Sequence, residues 1–195
     1  MTSPHLQIRF NLAKRSTANN QQPVVEFVED VDAYLKHEQL EDKVDSVLEE
    51  FNRLHRGFKL DQQRLAAEKA DLEKRLPDLE QNLKLVEELQ RAESDVSMRF
   101  MAADSVWTDA VVKHRSGGPE IGLWLGANVL VEYTCDEAVH LLAKSVNNSK
   151  QLLATKTQEL NFTKSQLTTC EVSISRFYNY DVQRRKKLRE QQGLN

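Results

Sequence analysis

Two runs of apolar residues spaced seven apart constrain this chain more than any other feature in it. Val44, Phe51, Phe58, Leu65, Leu72, Leu79 and Val86 form the first without a break. Val139, Val146, Leu153, Leu160, Leu167 and Ile174 form the second, and Leu188 falls on the same register. A heptad sustained this long, with charge at the remaining positions, specifies coiled-coil helices. The companion positions are thin. Val47 and Leu54 give way to Asp61, Glu68, Arg75 and Asn82 before Leu89, and Leu142 gives way to Ser149, Lys156, Thr163 and Cys170 before Phe177. Stripes this narrow suit two helices folded back on each other, each on the order of 75–85 Å long at about 1.5 Å per residue. Pro77 lies inside the first run, where it removes a backbone hydrogen bond and costs about 3 kcal/mol or more. The apolar register continues through it, which predicts a kink and not a boundary.

Between the runs the period changes. DSVWTDAVV, a KHRSGGPE loop and GLWLGANVLVEY hold both tryptophans, and Val, Ile, Leu and Trp alternate there with small or polar residues. That is the pattern of half-buried strands. The expected fold is mainly α: a long antiparallel coiled-coil hairpin of helices over 41–97 and 135–188, with a compact β insert over 98–133 at its apex. Thr134 is positioned to cap the second helix. A short amphipathic helix is expected over 23–37, carried by Phe27, Val31, Tyr34 and Leu35. Residues 1–22 and 189–195 have little to bury and are expected to stay disordered. Helices that start level at Ser97 and Cys135 would set Val86 against Val146, Leu79 against Leu153, Leu72 against Leu160 and Leu65 against Leu167. They would also put Cys170 near Gln62.

Composition narrows the function. Charged residues make up 29% and aromatic ones 7%, a balance suited to solvated helices more than to a large core. The net charge of −3 argues for neither nucleic acid nor membrane as partner. The first residues lack the apolar stretch of a signal peptide, and no apolar run approaches the ~20 residues that span a bilayer. Cys135 and Cys170 stand far apart with no CxxC companion, as reduced thiols of an intracellular protein do. The five histidines share no metal-binding spacing, and Gly117-Gly118-Pro119 lacks the lysine of a phosphate loop. No cofactor, metal or catalytic residue is expected, and the chain reads as no enzyme.

Three separated stretches carry a resemblance. FVEDVDAYL near the start, LWLGANVLVEY in the insert and FYNYDVQRR near the end are similar, in that order, to the alpha-class subunits of eukaryotic prefoldin, over about Val25 to Arg185. The resemblance implies two small β-hairpins at the apex that join an intersubunit β-barrel. Their strands would lie near Met98–Ala102, Val106–Val112, Ile121–Leu125 and Val129–Tyr133, with Gly126-Ala127-Asn128 as the second turn. It further implies a heterohexamer of alpha- and beta-class subunits. Such an assembly captures unfolded polypeptides, actin and tubulin among them, without ATP and delivers them to the cytosolic chaperonin. Partners would be the other subunits, unfolded clients and the chaperonin, in the cytoplasm.

Within that frame, Val106, Trp107, Val111, Leu123, Trp124, Leu125, Val129 and Val131 are the candidate assembly residues. The far ends of the helices would meet clients through Val44, Val47, Phe51, Leu54, Phe58, Phe177, Tyr178 and Tyr180; alternatively these residues only close the coil on itself. Residues 26–50 hold ten acids against two lysines, while Arg184, Arg185, Lys186, Lys187 and Arg189 cluster near the other end. Fold-back would set residues 43–48 beside 184–189. The basic cluster then reads as neutralising the acids, as docking on an acidic chaperonin surface, or as a nuclear import signal. The competing class is a tethering coiled coil, which would need no strand edges open to partners.

Overall fold

The computed structural model describes residues 13–15, 23–40 and 43–191. It is mainly α, with a long helix pair and small antiparallel strand pairs. Along the chain come β1 (Ala13–Arg15), β2 (Pro23–Val25), α1 (Val31–His37), α2 (Val44–Arg91), β3 (Val96–Ala103), β4 (Val106–Val112), β5 (Ile121–Gly126), β6 (Val129–Tyr133) and α3 (Cys135–Gln191). The strands pair β1–β2, β3–β4 and β5–β6, each pair antiparallel. The chain divides into two compact units. One comprises the described residues up to Ala67 and from Gln158 onward, and the other Glu68–Thr157.

In the first unit, the amino-terminal part differs from the sequence expectation. Most of residues 1–22 lie outside the described residues, but Ala13–Arg15 pair with Pro23–Val25, Ala13 opposite Val25. The helix expected over 23–37 is divided. Pro23 and the β-branched pair Val24-Val25 favour extended backbone, and helix starts only where Asp30 supplies a cap. Its carboxylate accepts from the backbone N–H groups of Asp32 at 2.9 Å and Ala33 at 3.1 Å. The helix ends in a Schellman motif: Leu40 N–H donates to Leu35 O at 2.8 Å and Gln39 N–H to Lys36 O at 3.3 Å. Gln39 takes the left-handed conformation this requires, at φ 55°. Val25, Val28, Val31, Leu35 and Leu40 all enter one core with Val44, Val47, Phe51, Phe58, Cys170 and Phe177.

In the second unit, α2 is unbroken through Pro77 but stops at Arg91, where helix had been expected to Ser97. The Asp95 carboxylate accepts from Lys113 Nζ and from His114 N–H, both at 2.8 Å, and the next residue, Val96, pairs with Val112. Those contacts draw the chain into strand. The second helix opens on a capping box. Glu137 N–H donates to Thr134 Oγ1 at 3.3 Å, while Thr134 N–H donates to the Glu137 carboxylate at 3.1 Å. The smaller core holds Val86, Ala138 and Leu142, with Ile121, Leu123 and Tyr133 packed against it.

The early end of α2 corrects the register. With α2 ending at Arg91, facing residues are displaced toward the start of α2, as in the pair His55–Glu171. Val86 packs on Ala138 and Leu142, not Val146. Cys170 donates its thiol to Phe51 O at 3.4 Å and does not lie near Gln62. Two weak companion positions meet each other, Lys156 Nζ lying 2.9 Å from Glu68, and beside the stripe Lys150 Nζ lies 2.7 Å from Glu80.

Candidate functional site

The two hairpins leave most of their apolar side chains uncovered. Trp124 is 66% exposed and Trp107 57%, and Val106, Val111, Leu125 and Val129 are also exposed. Leu123 and Val131 differ. They pair across β5 and β6 and are half-buried, Leu123 against the Val86 core. Leu123 holds the second hairpin on the helices rather than presenting it outward. Phe100, Met101 and Leu130, which the sequence reading missed, add to the exposed set. The signal for them was weak because RFMAADS has little strand character. It becomes strand because Met101 sits opposite Trp107 and Phe100 opposite Thr108.

Both turns are tightly specified. Ala127 and Asn128, at φ 48° and 61°, are the two central residues between the paired Gly126 and Val129, as a type I′ hairpin turn requires. The loop before β5 closes on Cys135, whose thiol donates to Pro119 O at 3.1 Å. Burial, and then Asp136, push that thiol's pKa up.

A second apolar constellation lies in the first unit. Val44, Val47, Phe51, Phe58 and Phe177 come together there, but they are buried. Leu54 and Tyr180 pack against them half-buried, and Tyr178 is exposed. What covers them is the segment 23–40. Tyr34 stands edge-on to Phe177 with ring centroids 5.9 Å apart, and Phe177 meets Phe51 at 5.2 Å. Val25 N–H donates to Gln166 Oε1 at 2.6 Å. The Arg176 guanidinium donates to Glu29 O at 2.6 Å and Val28 O at 3.4 Å, and stacks over Phe27 at 4.7 Å. The Tyr180 hydroxyl donates to Asp32 at 2.8 Å, which together with Lys36 lowers that carboxyl's pKa. Neither Gln166 nor Arg176 was singled out from sequence, because nothing in a heptad distinguishes a polar residue that seats a third segment from one facing solvent.

The acidic and basic stretches meet through Arg185, which lies 3.0 Å from Asp45 and 2.7 Å from Asp181. Lys186 reaches Glu190 at 4.0 Å within α3, and Lys187 lies close enough to Asp32 to help lower its pKa. Among the described residues no group of histidine, cysteine and acidic side chains could hold a metal ion. No described helix is long and apolar enough to cross a membrane.

Residues 58–180 match the family model described as Prefoldin subunit. The chain belongs to the prefoldin family. It is 37% identical to prefoldin subunit 3 of Mus musculus over 168 residues, covering 85% of this chain and 84% of that one. Against prefoldin subunit 3 of Saccharomyces cerevisiae it is 37% identical over 144 residues, 69% of this chain and 72% of the relative. With the Drosophila melanogaster subunit 3 it shares 29% over 164 residues, 84% and 82% of the two chains. It is thus a subunit of the prefoldin co-chaperone and assembles with other prefoldin subunits in a heterohexamer. The matched span includes both hairpins and most of each long helix.

Proposed function

We propose that this prefoldin subunit holds unfolded polypeptides, actin and tubulin among them, without nucleotide, and passes them to the cytosolic chaperonin. The work divides between the two units. The outward apolar side chains of the hairpins, Val106, Trp107, Val111, Trp124, Leu125 and Val129, bury against neighbouring subunits, with Leu123 anchoring β5–β6 from beneath and Val131 paired across from it. The first unit supplies the apolar side chains that meet client: Val44, Val47, Phe51, Leu54, Phe58, Phe177, Tyr178 and Tyr180.

The observation that carries this reading is the exposure of both tryptophans on two-stranded pairs that join no larger sheet among the described residues. Isolated hairpins are marginal in water, and exposed apolar area of this kind marks an interaction site. Holding needs no bond made or broken, so the reading assigns no catalytic group. In the basic cluster, Arg185 serves the fold through Asp45 and Asp181, while Arg184, Lys186, Lys187 and Arg189 give the chaperonin's acidic surface a charge to dock on. The subunit works in the cytoplasm, and RRKKLR offers a route into the nucleus as well.

The test reconstitutes the six-chain complex and adds guanidinium-unfolded actin on dilution, without ATP. Suppressed aggregation followed by transfer to purified chaperonin is the expected outcome. Aggregation as fast as in buffer overturns the holding reading. Deleting residues 184–195 should slow chaperonin association and flatten its salt dependence; an unchanged on-rate removes the docking role.

A further inference from the structure

The side chains assigned to client capture are already covered by part of their own chain, and the manner of covering indicates what the groove accepts. We propose that residues 23–40 are an internal stand-in for client, seated in a polypeptide-binding groove between the start of α2 and the end of α3, and that an extended apolar segment of an unfolded protein displaces them. The inference rests on the holding function above and names the site where holding occurs.

The contacts support an exchangeable occupant. The residues leading into α1 are held through backbone groups: Gln166, itself buried, takes the N–H of Val25, and Arg176 reaches the carbonyls of Val28 and Glu29. These are main-chain groups that every polypeptide carries, whatever its sequence, and the two carbonyls come together at a bend at Glu29. Most of the remaining hold is apolar burial, with Val25, Val28, Val31 and Leu35 in one core with Phe51, Phe58 and Phe177. The side-chain contacts of Phe27, Asp32 and Tyr34 are the part that client would have to forgo. Valine and leucine are side chains that unfolded proteins expose in quantity. The fit is also imperfect. The Tyr34 hydroxyl and Ser173 Oγ are buried with no hydrogen-bond partner among the described residues, and a buried hydroxyl left unpaired weakens the seam that contains it. An occupant tethered to the groove competes at high effective concentration, so an imperfect seam is what lets client win.

Glu29 and Asn179 are exposed and line one cleft of about 530 Å³, which suits a reversible lock. Glu29→Cys and Asn179→Cys are introduced together and bridged with a disulfide-containing bis-maleimide in the assembled complex. The native Cys135 and Cys170 are buried with raised thiol pKa values and alkylate slowly. A photoreactive phenylalanine analogue replaces Leu54 at the lip of the groove, and guanidinium-unfolded actin is the probe. The locked complex is expected to yield several-fold fewer crosslinks from position 54 than the same sample after the bridge is reduced. In an unbridged complex Leu35→Asp, which places a charge in the core, should raise them several-fold at unchanged far-UV helicity. Equal yields locked and reduced overturn the inference and leave the holding function standing, as does a fall with Leu35→Asp. An unmodified complex that captures no actin by any readout overturns both.

Discussion

At Gly118 the backbone runs at φ +84°, and a Cβ added there would stand 2.7 Å from the Cys135 sulfur. Cys135 is fully buried and tied to Pro119 O, so it has no room to retreat. Gly118→Ala therefore meets left-handed backbone, costing about 1–2 kcal/mol by itself, and a collision in addition. It should lower the urea midpoint of the assembled subunit, with the loss concentrated in the hairpins by hydrogen exchange. The converse holds at Ala127, which sits at φ 48° on the other turn: Ala127→Gly removes a comparable backbone cost and should stabilise by about 1 kcal/mol. A stabilising Gly118→Ala would contradict the packing described. Cys170 carries a pH prediction. Burial, and secondarily Glu171, push its thiol from 9.0 up to about 11. Because the folded value is the higher one, its contribution is complete below pH 9 and is lost as pH rises towards 11. The unfolding midpoint should fall over that window, and Cys170→Ala should flatten the fall; an identical slope in the variant would mean the thiol is not desolvated.

At the scale of elements, the long helices and three of the four hairpin strands were legible in the sequence because each is decided locally. A heptad needs only its own spacing, and GLWLGANVLVEY contains its strands and its turn. The segment 23–40 was not legible in the same way. Its helical spacing through Phe27, Val31 and Leu35 is real, yet Phe27 is 51% exposed under Arg176 while Val25 and Val28 are buried. That arrangement is dictated by side chains of α3 far along the chain, which a local pattern cannot register. The same holds for the coil register. The end of α2 is decided by Asp95 meeting Lys113 and His114 across β3–β4, not by helix propensity, and an error there displaces every facing pair. For α1 the structure gives a direct test. Tyr34 lies half-buried, its hydroxyl without a hydrogen-bond partner among the described residues and its pKa pushed up to about 12, chiefly by burial. Tyr34→Phe keeps the edge-on contact with Phe177 and removes the unpaired oxygen. It should strengthen the seating of the segment by about 1 kcal/mol, read as slower exchange of the α1 amides, whereas faster exchange would show that the hydroxyl does find a partner in solution.

At the scale of the whole molecule, the two units place opposite demands on apolar surface. In the first, bulky side chains of both long helices are buried with a third segment of the same chain, so that unit completes itself. In the second, the core is small and the hairpins turn large side chains to solvent, so its completion falls to other subunits. Trp124 is the most telling residue for that dependence. It is 66% exposed and sits opposite Leu130, also exposed, across β5–β6, while the neighbouring Leu123 anchors the same strand on the Val86 core. A carboxylate at 124 therefore disturbs no packing within the chain. Against a neighbouring subunit it forfeits roughly 1.5–3 kcal/mol of burial and adds the several-kcal/mol penalty of desolvating a charge. Trp124→Glu should leave the chain's helical circular dichroism unchanged while the complex loses this subunit on size exclusion at micromolar concentration. The control is Leu60→Glu on α2, equally exposed but outside the hairpins, which should assemble as the unaltered chain does. If Trp124→Glu co-elutes in full stoichiometry, the outward face of β5 is not an assembly surface, and Trp107 with Phe100 on the first hairpin becomes the face to change next.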